Sequence, residues 1–182
     1  MVTLGNVETA YNITLIGEPD TGKTSIKNAL IGLPFMETQN SLKASFSSLS
    51  IEKYNIEFRL QVCDVGRNES FELIRNEFMS NSDAAIIVFD LTNKYSFQQL
   101  TTWIKEYCLA TKKDKTPILI LGNKLDLKNE RKISLIDIQS ILKLIRYNPE
   151  IEGRIVGYAE TSAKTGENIQ SSFRNLTSII AS

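Results

Sequence analysis

Eight consecutive residues, Gly17-Glu18-Pro19-Asp20-Thr21-Gly22-Lys23-Thr24, spell G-x-x-x-x-G-K-T. Glycine lets the backbone turn tightly, so that successive N–H groups face one concavity, and a helix beginning there adds the positive end of its dipole. Such a concavity suits a phosphate chain. Lys23 is spaced to reach the terminal phosphates and the Thr24 hydroxyl to ligate Mg²⁺. Asp20, Thr21, Gly22, Lys23, Thr24 and Ser25 are the candidate contacts. An ordinary glycine-containing turn is the plainer alternative, and context weighs against it. Tyr11 to Ile16 alternates like a strand, and the apolar residues of Ser25 to Ile31 recur at helical spacing.

Three further segments carry chemistry-bearing residues. Asp64-Val65-Gly66-Arg67-Asn68-Glu69 follows a strand-like run. Beside a phosphate loop, Asp64 is placed to hold Mg²⁺ through a bound water; taken alone it is a strand-ending turn residue. Gly122-Asn123-Lys124-Leu125-Asp126 contains N-K-x-D. A carboxylate accepts two parallel hydrogen bonds, and guanine offers two adjacent donors where adenine offers no such pair, so Asp126 is the expected reader of the base. Asn123 is expected to brace neighbouring loops and the base's other edge, with the Lys124 stem along the ring. In Glu160-Thr161-Ser162-Ala163-Lys164, small residues let backbone N–H groups approach the guanine carbonyl oxygen, and Lys164 covers the ring's other face. A tight turn before a helix would read the same way.

The elements that must position these residues alternate along the chain. A polar stretch follows Leu33-Pro34 and runs to about Lys43. Ala44 to Glu52 and Ile56 to Asp64 predict a hairpin around Tyr54-Asn55. Phe71 to Met79, Phe97 to Ala110, Ser134 to Tyr147 (with Ser134 as N-cap) and Asn168 to Ile180 read as helices. Ala84 to Phe89 and Pro117 to Leu121 read as strands buried on both faces, and Gly153 to Ala159 as the last strand. This order predicts a single α/β domain over residues 1–182: a six-stranded, mostly parallel sheet with one antiparallel edge strand and helices on both faces. Ligands of such sheets bind beyond the carboxyl ends of the strands, where the four segments fall.

With 182 residues the chain is long enough to bury a sizeable core, and its 21 basic and 21 acidic side chains balance. No bulk field therefore argues for nucleic acid or an anionic membrane surface. The absence of histidine excludes His-dependent catalysis and His-ligated metals. Two distant cysteines, Cys63 and Cys108, without a signal sequence, suggest a reducing cytoplasm. No apolar run approaches the ~20 residues of a membrane span, and no lipidation motif is present. Membrane association is expected only through a partner or a lipidated tail beyond this sequence.

Together these residues resemble the small GTPases of the Ras superfamily over nearly the whole chain, with the Rab branch closest. Phe89-Asp90-Leu91-Thr92-Asn93-Lys94-Tyr95-Ser96-Phe97 is similar to the Rab-type Y-D-I-T-N-x-x-S-F, and Leu60-Gln61-Val62-Cys63-Asp64 to L-Q-I-W-D. The resemblance implies GTP and GDP as ligands, Mg²⁺ as cofactor, and two switch segments that order around the γ-phosphate. It implies effector, exchange-factor and GTPase-activating partners for a monomer, in a vesicle-traffic setting. It also implies that Phe35 packs edge-on against the base; a core aromatic at a helix end is the alternative.

The chain departs from the family pattern where hydrolysis is concerned. Ungapped alignment puts Arg67 at the glycine and Asn68 at the glutamine of D-x-x-G-Q. Asn is one methylene short of orienting a water, and Arg67 lacks the glycine's backbone freedom. Gly66 is a substitute hinge if the register shifts, and Arg67 is either an arginine finger in cis or a solvated surface residue. Pro19 removes one N–H from the cradle. The first switch lacks T-I-G: Ser41, with Thr38 as fallback, is taken as the Mg²⁺ hydroxyl because counting points to Ser41 or Leu42, and Lys43 replaces the glycine. The metal set is then Thr24, Ser41 and Asp64, and the catalytic set Lys23, Arg67 and Asn68. Tyr147 to Gly157 is expected as a surface insertion. A slow GTP-hydrolysing switch is the leading expectation, a nucleotide-holding interaction module with little hydrolysis the second, and a P-loop ATPase or kinase a distant third.

Overall fold

Every residue of Ala84–Asp90 is buried, and so is every residue of Ile118–Asn123. Strands covered on both faces must lie inside a sheet with helices above and below, and this is how they are placed. A computed structural model of the chain describes residues 9–36, 45–53, 56–64, 72–111, 113, 115–149 and 151–182, with residues 9–10, 45–53 and 56–64 described by backbone alone.

The strands are β1 (Thr9–Ile16), β2 (Ser45–Lys53), β3 (Ile56–Asp64), β4 (Ala84–Asp90), β5 (Ile118–Asn123) and β6 (Ile155–Glu160). They form one six-stranded sheet in the order β2-β3-β1-β4-β5-β6. β2 pairs antiparallel to β3 at the edge, and every other pairing is parallel. The reversal of strand order between β1, β3 and β4 is the switch point at which such sheets bind ligands.

Strand periodicity divides the core between the two faces. Ala85, Ile87 and Phe89 of β4 point to one side, into a cluster with Met79, Trp103, Ile104, Tyr107, Ile138 and Ile145. Ala84, Ile86 and Val88 point to the other, into a cluster with Ile26, Leu30, Phe173 and Leu176. Helices α1 (Lys23–Leu30) and α6 (Ile169–Ile180) therefore cover the second face. α2 (Glu72–Asn81), α4 (Leu100–Ala110) and α5 (Leu135–Arg146) cover the first, and α3 (Lys94–Gln98) leads into α4. Each fully buried Ile or Phe contributes about 1.5–3 kcal/mol by leaving water.

The helix expected over Phe97 to Ala110 starts earlier, at Lys94, because the Asn93 side chain caps the N–H groups of Tyr95 and Ser96. Gln99 interrupts it, yet its N–H still bonds Tyr95 and its carbonyl still accepts from Trp103. Ser134 does cap α5, in a reciprocal capping box with Asp137. Of the expected excursion at 147–157, Ile155, Val156 and Gly157 are the start of β6, held there by pairing to β5. Residues 147–149 and 151–154 form turns, and Ile151 among them is buried in the core. The hairpin tip at Tyr54-Asn55 lies outside the described residues. Among the described residues no helix is long and apolar enough to cross a membrane.

Candidate functional site: a phosphate loop braced to two strand-end loops

The loop between β1 and α1 leaves the sheet through Gly17. Its φ of 144° and its closeness to the Val88 carbonyl, into which a Cβ would collide, admit only glycine. Asp20 takes a left-handed φ of 62°, a conformation that Asp tolerates better than most residues. Gly22 follows with φ 89° at the start of α1. A Cβ there would run into the Asn123 side-chain amide. The turn is held from within by the Thr21 hydroxyl, which donates to the Glu18 carbonyl at 2.9 Å.

Lys23 is buried, and a buried ammonium needs acceptors to offset its desolvation. Two carbonyls of the loop supply them: Lys23 Nζ donates to Gly17 O at 3.1 Å and to Glu18 O at 2.9 Å. The ammonium is thereby drawn over the concavity. Thr24 and Ser25 stand half-buried in the first turn of α1.

Asn123, at the end of β5 and 1 % exposed, ties this loop to the next two. Its Nδ2 donates to Thr21 O at 2.9 Å, and its Oδ1 accepts from Ala163 N at 3.1 Å and from the Thr161 hydroxyl at 3.4 Å. Asn123 thus joins the phosphate loop to the loop after β6. Lys124 turns the chain with φ 68° and sends its ammonium to Asp90 Oδ2, 2.8 Å away at the end of β4. Asp90 also accepts from the Thr92 N–H and hydroxyl.

Asp126 and Ser162 come together across 36 residues of sequence, the Ser162 hydroxyl donating to Asp126 Oδ1 at 2.6 Å. Ser162 also accepts from Thr165 N, and Ala163 is buried beside it, whereas Lys164 is exposed. The sheet therefore gathers Thr21, Gly22, Lys23, Asn123, Asp126, Ser162 and Ala163 into one constellation. Phe35 stands apart, 42 % exposed beyond α1.

Of the metal set, Thr24 lies on α1, and Asp64 ends β3 with its Cα in register with Leu15, two residues before the loop. Ser41, Thr38, Arg67 and Asn68 lie outside the described residues. Among the described residues no group of three or more His, Cys, Asp or Glu could hold a metal ion by itself.

Some supporting residues escaped the sequence. Arg131 grips Glu160, the first residue of E-T-S-A-K, with two parallel hydrogen bonds of 2.6 and 2.7 Å, while its Nε donates to Ile133 O. The Tyr158 hydroxyl donates to the same carboxylate at 2.9 Å, and its ring stacks on Phe89. The Arg131 bonds chiefly, with help from Tyr158, hold the Glu160 carboxyl below its ordinary range. Burial first, and the adjacent Glu160 charge second, push the Tyr158 hydroxyl well above the usual phenol range. Glu18 accepts from Trp103 Nε1 at 3.1 Å. The motifs named Glu160 and Glu18 but gave no sign of partners 29 and 85 residues away.

The model of the Ras family matches residues 12–182 of this chain. The chain is 31% identical over 169 residues to the ras-related protein Rab-5B of Dictyostelium discoideum, spanning 91% of this chain and 73% of that protein. It is 29% identical over 176 residues to the Ras-related protein Rab-7a of Paramecium octaurelia, spanning 94% and 82%.

The chain belongs to the Ras family.

It is a Ras-superfamily small GTPase close to the Rab branch. Within this family the constellation acquires a chemical reading. A loop whose two glycines have no room for a Cβ against Val88 and Asn123 lies at one end, and a carboxylate aligned by a serine hydroxyl at the other. Together they suit a nucleotide whose phosphates and base are held at once.

Proposed function

We propose that the chain binds GTP and GDP with Mg²⁺ and acts as a molecular switch that hydrolyses GTP slowly. The observation that carries the nucleotide reading is Asn123, whose amide bonds the phosphate loop at Thr21 and the base loop at Ala163. Asp126 reads the guanine ring N–H and exocyclic amine. Ala163 and its neighbours face the carbonyl oxygen, and Lys124 and Lys164 flank the ring. Thr24, Ser41 and Asp64 are the residues that would hold Mg²⁺, which when bound neutralises charge on the phosphates.

Hydrolysis is proposed to be slow on sequence grounds. Asn68 stands where the family's water-orienting glutamine belongs, Arg67 replaces the preceding glycine, and Pro19 removes one N–H of the cradle. The competing reading, a guanine-nucleotide-dependent interaction module with almost no turnover, rests on the same three residues. Single-turnover hydrolysis of bound GTP separates the two. Asn68→Gln is expected to speed hydrolysis by about 10-fold or more with nucleotide affinity unchanged. No turnover in either protein, with indistinguishable GDP and GTP-analogue states, would reject the switch.

Effector, exchange-factor and GTPase-activating partners, a monomeric state, a cytoplasmic setting and a role in vesicle traffic belong to the same proposal. They are supported by likeness to the Rab branch. An excursion at residues 147–154 is proposed as a feature of this chain within the single domain.

A further inference from the structure

Trp103 is the only tryptophan of the chain, and it stands where three elements meet. Its indole Nε1 donates to Glu18 Oε1 at 3.1 Å, Glu18 being the second residue of the phosphate loop. Arg75 of α2 lies over the same ring, its guanidinium carbon 5.7 Å from the centroid. Arg75 Nε also donates to Glu106 Oε1 of α4 at 2.9 Å. Arg75, Trp103 and Glu18 are all buried. A desolvated cation on an indole face is held more strongly than an exposed one, and a buried carboxylate depends on the donors around it. Glu18 and Gly17 in turn supply the two carbonyls that hold the Lys23 ammonium.

The geometry points to Trp103 and Arg75 as positioning residues for the phosphate loop. Arg75 seats the indole, the indole seats Glu18, and the Glu18 backbone seats Lys23, so nucleotide retention depends on where α2 sits. α2 begins at Glu72, four residues after Asn68, the last position aligned with the second switch. The relay therefore gives α2 a path to the phosphate loop through Trp103 and Glu18. This inference rests on the guanine-nucleotide reading above.

The test is the release of a fluorescent GDP from loaded protein at constant Mg²⁺, with thermal midpoints taken in saturating GDP. Trp103→Phe and Arg75→Met are expected to release GDP about tenfold faster, the order of one lost charge-assisted contact. Glu18→Gln, whose amide oxygen still accepts from the indole, should change release less. Arg75→Met should also shift the emission of Trp103. Lower midpoints with unchanged release, or fast release with unshifted emission, overturn the relay. Should Trp103→Phe fail to fold, Arg75→Met and Glu18→Gln carry the test. If the unsubstituted chain holds no guanine nucleotide, the nucleotide reading falls on its own, and the relay is then read from urea midpoints. The effect of Glu18→Gln must change when Arg75→Met is already present; independent effects overturn it.

Discussion

Recognition by a carboxylate depends on how its lone pairs are aimed, and Asp126 is aimed by Ser162 at 2.6 Å. In the proposed site the two guanine donors are thus read by a single side chain with Ser162 as its support. Asp126→Ala is expected to reduce the preference for GDP over ADP by about 100-fold or more, read by competition binding. Unchanged discrimination would mean that another group reads the base. At this scale the sequence was most informative where chemistry is local. G-x-x-x-x-G-K-T and N-K-x-D place Lys23, Asn123 and Asp126 by spacing alone. It was silent on Arg131 and Trp103, because their partners lie far along the chain and come into reach only once the sheet has formed. Lys124 shows the same limit from the other side: the motif names it, but only the fold brings its ammonium to Asp90.

Between elements, the Arg131–Glu160 fork joins the turn after the short 3-10 helix Lys128–Glu130 to the end of β6. Its contribution follows the ionisation of Glu160. The folded carboxyl lies below its ordinary value of 4.5, so the contribution is complete above that pH and is lost as the pH falls through the folded value. Arg131→Met should lower the urea midpoint at neutral pH and converge with the unsubstituted protein in acid. Parallel curves at both pH values would remove the fork from the acid response. Arg131→Lys is expected to restore only part, since one ammonium cannot reproduce two parallel bonds. Elements themselves were largely legible, because apolar runs such as Ala84 to Phe89 have one home in a parallel sheet. Their ends were less so: Asn93 opens a helix three residues before its first expected residue, through a cap that periodicity does not record.

Across the whole molecule, two apolar clusters on opposite faces of one sheet leave the site at the strands' carboxyl ends, where loops rather than core hold it. A ligand that bridges such loops stabilises the fold by mass action. GDP at about a thousand times its Kd is expected to add about 4 kcal/mol, and ADP far less. Urea unfolding at graded nucleotide concentrations measures this, and equal shifts with GDP and ADP would contradict the proposed base preference. The mostly parallel sheet and its edge hairpin were deducible from the alternation of elements. The register that brings Asp64 opposite Leu15 and Asn123 opposite Asp90 was not, because register comes from packing that no short stretch contains.

Asn123 has a consequence for how such a site can diverge. Its one amide spends its acceptor on the base loop and a donor on the phosphate loop, and Gly22 is kept glycine by the same amide. The seating of these two loops is therefore one trait at this position rather than two. A lineage that lost Asn123 would disturb both loops at once, so this position is expected to stay asparagine even where Asp126, three residues on, is replaced.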